Sequence, residues 1–135
     1  MSKSYHNTVA LREAPDEVER KVRTMMTDPA RVRRDDPGDP ANCPVFALHE
    51  IYSDDETRGW VTEGCTTAGI GCIDCKKPLI DAINAEQEAM RERAQPFEDD
   101  RDLVHSILVE GSEKARDVAR ETLDDVRSAI GLAHR

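Results

Sequence analysis

Aromatic side chains are scarce: they make up 4% of the 135 residues, and Trp60 is the single tryptophan. That excludes a core built on stacked rings and leaves Leu, Ile, Val and Ala to supply it. No apolar run approaches the roughly 20 residues a bilayer-spanning helix needs. The opening Met1-Ser2-Lys3-Ser4-Tyr5-His6-Asn7 lacks the pattern of a signal peptide. Both absences point to a cytoplasmic protein. No stretch alternates apolar and polar residues long enough to make a strand, and there is no internal repeat. Gly-x-Ser-x-Gly and phosphate-cradling glycine loops are missing as well. His6, His49, His105 and His134 are scattered, so each reads as a surface or packing residue. The paired acids Asp35-Asp36, Asp54-Asp55, Asp99-Asp100 and Asp124-Asp125 read as helix caps and solvated faces. These residues name no reaction.

Charge is abundant but uneven. Charged residues make up 35% of the chain and the net charge is -9, which argues against a generic nucleic-acid binder. Yet residues 1–34 carry +3, residues 35–64 carry -7, residues 65–80 carry +1 and residues 81–135 carry -6. The basic surplus lies at the start and beside the last two cysteines. Local sign, not the total, decides where a phosphate docks.

What the chain does have is helical periodicity. Ala14-Pro15-Asp16-Glu17 has the form of a helix start, with Pro in the first turn and acids behind it, and Val18, Val22, Met25 and Met26 follow at helical spacing before Pro29. Asn42-Cys43-Pro44 starts a second helix, with Asn42 as its expected cap and Val45, Phe46, Leu48, Ile51 and Tyr52 as its apolar positions. A third is expected from Asp54 or Asp55 to Gly64. A fourth follows Cys75 and runs to about Ala94, bounded by Pro96. A final stripe runs from Leu103 to Ile130, capped by Asp99 or Asp100 and ended by Gly131, with Gly111 as a possible break. The fold class is all-α. The core is thin for that number of helices, so a bound metal centre or a docking partner would help offset the entropy of ordering the chain.

All four cysteines fall in one pattern: Cys43, then 21 residues, Cys65, then six, Cys72, then two, Cys75. A two-residue gap lets two thiolates reach one centre from a single turn. Gly69 and Gly71 are expected to reverse the backbone ahead of that turn, with Cys43 at a helix start and Cys65 just past a helix end. In a reducing compartment such a set reads as metal ligands rather than disulfides. Four thiolates suit either a structural zinc or an iron–sulfur cluster, and spacing alone leaves both open.

The opening Met1-Ser2-Lys3-Ser4 matches four of the five residues of the Lys-Met-Ser-Lys-Ser signature of class I aminoacyl-tRNA synthetases. It is followed, in order, by Thr8-Val9, Thr27-Asp28-Pro29, Arg33-Arg34-Asp35-Asp36-Pro37-Gly38, Cys43-Pro44-Val45-Phe46, Leu48-His49 and Gly69-Ile70-Gly71-Cys72-Ile73-Asp74-Cys75-Lys76-Lys77. This series resembles the C-terminal part of bacterial tryptophanyl-tRNA synthetases over essentially the whole chain, and within them the subset that carries a 4Fe–4S cluster.

The resemblance implies a helical anticodon-binding domain over residues 14–135, preceded by a flexible ATP-signature loop over residues 1–13, with the nucleotide-binding catalytic domain upstream. It implies that Met1, Ser2, Lys3 and Ser4 meet ATP, whose Mg salt is a substrate, and that Lys3 neutralises the departing pyrophosphate. Cys43, Cys65, Cys72 and Cys75 would hold the 4Fe–4S cluster, with zinc as the alternative. Lys76, Lys77, Lys114 and Arg116 would meet the anticodon loop of tRNA(Trp). As the intact protein this would be an ATP-dependent tryptophan–tRNA ligase and a homodimer, inactive as the fragment alone. The alternative is a free-standing four-cysteine iron–sulfur or zinc module with a structural or sensor role.

Overall fold

The computed structural model describes residues 3–5 and 7–132, and the calls on Met1, Ser2 and the side chain of Lys3 lie outside what it describes. The described residues are helical, with no strand among them: α1 (Pro15–Thr24), α2 (Pro44–Tyr52), α3 (Asp55–Thr66), α4 (Cys72–Asp99) and α5 (Arg101–Ala129), plus 3-10 turns at Lys3–Tyr5 and Pro40–Asn42. The chain divides into two compact units, Met1–Arg93 and Ala94–Arg135.

The first unit is built around Val18 and Val22 of α1, Val45 of α2, and Leu79, Ile80 and Ile83 of α4. Val9, Met25, Leu48, Tyr52, Cys43 and Cys75 pack against that cluster. Each fully buried aliphatic side chain contributes about 1.5–3 kcal/mol, so two of the four cysteines sit where the apolar burial is concentrated.

Polar side chains tie the segment before α1 to this core. Lys21 donates to the Thr8 carbonyl at 2.9 Å and to Glu13 Oε2 at 2.6 Å. Glu13 Oε2 also accepts from the Ala10 N–H at 2.8 Å. From α4, Gln87 donates to the Ala10 carbonyl at 3.2 Å and Arg91 to that of Glu13 at 3.4 Å. Asp28, buried between α1 and α2, accepts from the backbone N–H groups of Ala30 at 2.9 Å and Asp39 at 2.8 Å. It thereby folds the Pro- and Asp-rich loop back on itself.

Helix boundaries depart from expectation in two places. α4 runs through both Pro78 and Pro96 instead of stopping near Ala94; each proline removes one backbone donor, and neighbouring good helix formers carry the helix past the gap. α3 continues past Gly64 to Thr66, because Gly64 serves packing: a Cβ there would lie 2.8 Å from the side chain of Ile70. α5 is unbroken through Gly111, and Asp100 caps it by accepting from the Leu103 N–H at 2.9 Å. In the second unit, α5 buries none of its residues, and Ile107, Leu108, Val118 and Val126 of its apolar stripe are exposed.

Candidate functional site

The ends of three helices deliver the four cysteines. Cys43 is the residue before α2, in extended conformation with Pro44 behind it. It takes the capping position expected of Asn42, whose amide instead donates to Asp39 at 2.7 Å. Cys65 lies inside the last turn of α3, not just past its end as expected, because Gly64 does not end it. Cys72 opens α4 and Cys75 follows one turn later. The reversal between α3 and α4 turns on Ala68, whose φ of 55° is left-handed, and not on Gly69 or Gly71. The Ile70 N–H closes that reversal on the Gly64 carbonyl at 3.1 Å.

All four cysteines are free and half-buried. With Thr27, Asp28, Arg31 and Ile70 they line one enclosed cavity of about 20 Å3. The sequence-predicted convergence of four thiols on a common space is therefore present. Among the described residues, however, no three His, Cys, Asp or Glu side chains form a group that could hold a metal ion. A ready-made metal site, for zinc or for a cluster, is thus not found among them.

The surroundings of the thiols are set by burial and by Arg31. Burial pushes the Cys75 thiol up to about 12, with the neighbouring Cys43, Cys65 and Cys72 adding to the shift. Burial raises Cys65 as well, while Arg31 pulls it back down. Arg31 Nη1 lies 3.9 Å from Cys65 Sγ, and Nη2 donates to the carbonyls of Arg34 and Ile70 at 2.7 Å each. Gly38 donates its N–H to the Cys65 carbonyl at 3.0 Å. A Cβ at position 38 would stand 2.7 Å from Cys65 Sγ, so only glycine clears the sulfur.

His49 is completely buried. Its Nε2 lies 3.2 Å from the Cys75 carbonyl and 3.5 Å from Cys75 Sγ, and its Nδ1 lies 2.7 Å from Ser53 Oγ. Burial lowers its pKa, keeping the ring neutral. Arg31, Gly38 and His49 carry no site role in the sequence reading. For His49 a signal existed: it shares a helical face with Val45, Leu48 and Tyr52. Nothing in the spacing marks Arg31.

The residues expected to meet RNA fall in different settings. Lys76 is 3% exposed, and its ammonium donates to the carbonyls of Arg23 at 2.9 Å and Met25 at 2.6 Å. It closes the C-terminal end of α1, where carbonyls lack helical partners, and burial lowers its pKa. This corrects the expectation that Lys76 presents its charge to a phosphate. Lys77 is exposed and paired with Asp74 at 2.8 Å. In the second unit, Lys114 pairs with Glu110 at 2.6 Å and Arg116 is exposed on the same helix. Ser4, of the expected ATP loop, is exposed within the Lys3–Tyr5 turn.

Comparison with known proteins matches the chain to the class I tRNA synthetases for tryptophan and tyrosine over residues 1–87. The chain belongs to that family. The similar relatives are tryptophan–tRNA ligases: 56% identical over 134 residues in Ralstonia nicotianae, covering 99% of this chain and 34% of the relative, and 46% identical over 134 residues in Thermotoga maritima, covering 98% and 40%. A crystal structure of tryptophanyl-tRNA synthetase from Campylobacter jejuni, complexed with ADP and tryptophan, superposes with a TM-score of 0.81 at 26% identity, covering 98% of this chain and 41% of that one. The chain thus spans about 34–41% of the length of the relatives it matches.

Proposed function

We propose that the chain works as the C-terminal part of a cytoplasmic tryptophan–tRNA ligase, contributing the ATP-signature loop and a helical anticodon-binding region. The observation that carries this reading is the 56% identity to a tryptophan–tRNA ligase along 99% of the chain. The reaction joins tryptophan to ATP as an adenylate, releasing pyrophosphate, and then transfers the acyl group to the 3′ end of tRNA(Trp). Negative charge gathers on the pyrophosphate as it leaves. A lysine on a closing loop stabilises that charge mainly in the transition state, and Lys3 takes this role, with Met1, Ser2 and Ser4 around the Mg-bound phosphates. The protein acts as a homodimer.

On the RNA side, Lys77, Lys114 and Arg116 offer exposed cations to the anticodon-loop phosphates, while Lys76 supports the same turn from below by holding α1. Phosphate contacts of this kind position the RNA without reading its bases.

Cys43, Cys65, Cys72 and Cys75 would hold a 4Fe–4S cluster. The donor set fits: four thiols face one space lined besides by Thr27, Asp28, Arg31 and Ile70, the Asp28 carboxylate there is already engaged by backbone amides, and Gly38 leaves clearance at the Cys65 sulfur. Such a cluster would link the α2, α3 and α4 ends as a structural clamp.

The test joins this chain to the upstream part of the Ralstonia nicotianae relative and measures tryptophan-dependent pyrophosphate exchange and tRNA charging. Activity in the chimera, reduced at least 100-fold by Lys3→Ala (about 2.7 kcal/mol of transition-state stabilisation), with none from the chain alone, supports the reading. A folded chimera without exchange contradicts it.

A further inference from the structure

We infer that His49 is a positioning residue of the four-thiol centre, a fixed N–H donor that holds the Cys75 backbone and sulfur from the buried side and is itself held in one tautomer by Ser53. The inference rests on the cluster reading above.

The tautomer follows from the partners. A carbonyl oxygen only accepts, so the contact of 3.2 Å between His49 Nε2 and the Cys75 carbonyl requires the proton on Nε2. A neutral ring then has Nδ1 as an acceptor, and the Ser53 hydroxyl at 2.7 Å donates to it. The Nε2 proton is shared between the Cys75 carbonyl and Cys75 Sγ, the latter at 3.5 Å. The hydroxyl thus selects the ring's proton, and the ring aims it at one cysteine. The contact also spans two elements, since His49 and Ser53 belong to α2 and its C-terminal cap while Cys75 belongs to α4.

Geometry favours a role in the centre over simple packing. Any fully buried imidazole must have both nitrogens paired; what distinguishes this one is that its partner is a cysteine of the centre, at both the carbonyl and the sulfur, where a phenyl ring would fill the space without polar atoms to satisfy. Here the ring is 0% exposed and both nitrogens are engaged. Partners behind a ligand fix its orientation, and their loss costs roughly 10–100-fold in affinity for the bound group.

The full chain is loaded anaerobically with iron and sulfide, and release of its cluster to excess iron chelator is timed. His49→Phe should release it roughly 10–100-fold faster. His49→Gln, whose amide N–H reaches the same acceptors, should recover most of the difference. Equal release from all three proteins overturns the inference. Where His49→Phe does not fold, Ser53→Ala keeps the ring and removes the hydroxyl; faster release supports the inference and unchanged release overturns it. If the unaltered chain takes up no iron and sulfide, the cluster reading fails by itself. Imidazole nitrogen NMR shifts of the cluster-free chain then decide the remaining claim: an Nε2–H ring supports it, and an Nδ1–H or averaging ring overturns it.

Discussion

Single atoms set the tolerance of the four-thiol centre. At position 38 a methyl group would stand 2.7 Å from Cys65 Sγ and 3.2 Å from the Arg31 side chain, so Gly38→Ala must push the sulfur or the loop aside. The expected outcome is a folded protein whose iron and sulfide content falls well below that of the parent. Ala68 presents the opposite case. Its left-handed φ of 55° is strained for any residue with a Cβ, and Ala68→Gly should raise stability by about 1 kcal/mol, read as a higher urea midpoint. Lys76→Met would leave the carbonyls of Arg23 and Met25 without their donor, a cost of roughly 1–3 kcal/mol that the same titration measures.

At the scale of elements, backbone chemistry and charge make separate predictions. Gly111 lies in the middle of α5 with open space around its Cα, so Gly111→Ala should stabilise that helix by about 1 kcal/mol, visible in helicity on heating. Glu13 and Asp28 both hold their neighbouring segments as carboxylates. The Lys21 hydrogen bond lowers Glu13 below its ordinary 4.5, and the backbone N–H groups of Asp39 and Ala30 lower Asp28 below its ordinary 3.8. The unfolded chain therefore binds more protons than the folded one between each pair of values. Their contribution is fully present above about pH 4.5 and is lost as pH falls through the depressed values. A melting temperature that rises with falling pH in this range would contradict that.

Much of this element pattern was legible from spacing. Pro15 and its acids marked α1, Asp54 and Asp100 marked the starts of α3 and α5, and apolar periodicity gave α2 and α5. What escaped notice has a common cause: a residue type that serves local conformation in one place serves packing in another. Gly64 has the look of a helix end but is small because Ile70 lies against it. Pro96 looks like a boundary, yet α4 absorbs the lost hydrogen bond. Lys76 and Lys77 are neighbours of one charge, and helical rotation buries the first while exposing the second. The four cysteines were legible as a set because the sequence has no others, and the fold brings all four to one cavity.

For the whole molecule, the account depends on those four sulfurs acting together in a chain of the class I synthetase family. They lie at the ends of α2, α3 and α4 on one cavity, with Arg31 beside Cys65 and His49 beside Cys75. The most direct measurement is the iron and acid-labile sulfide content of the chain purified without oxygen, together with its visible spectrum. The account predicts a brown protein with about four iron and four sulfide per chain, lost when Cys72 and Cys75 are both replaced by Ser. A colourless protein holding one zinc, or no metal, with the same fold would contradict it.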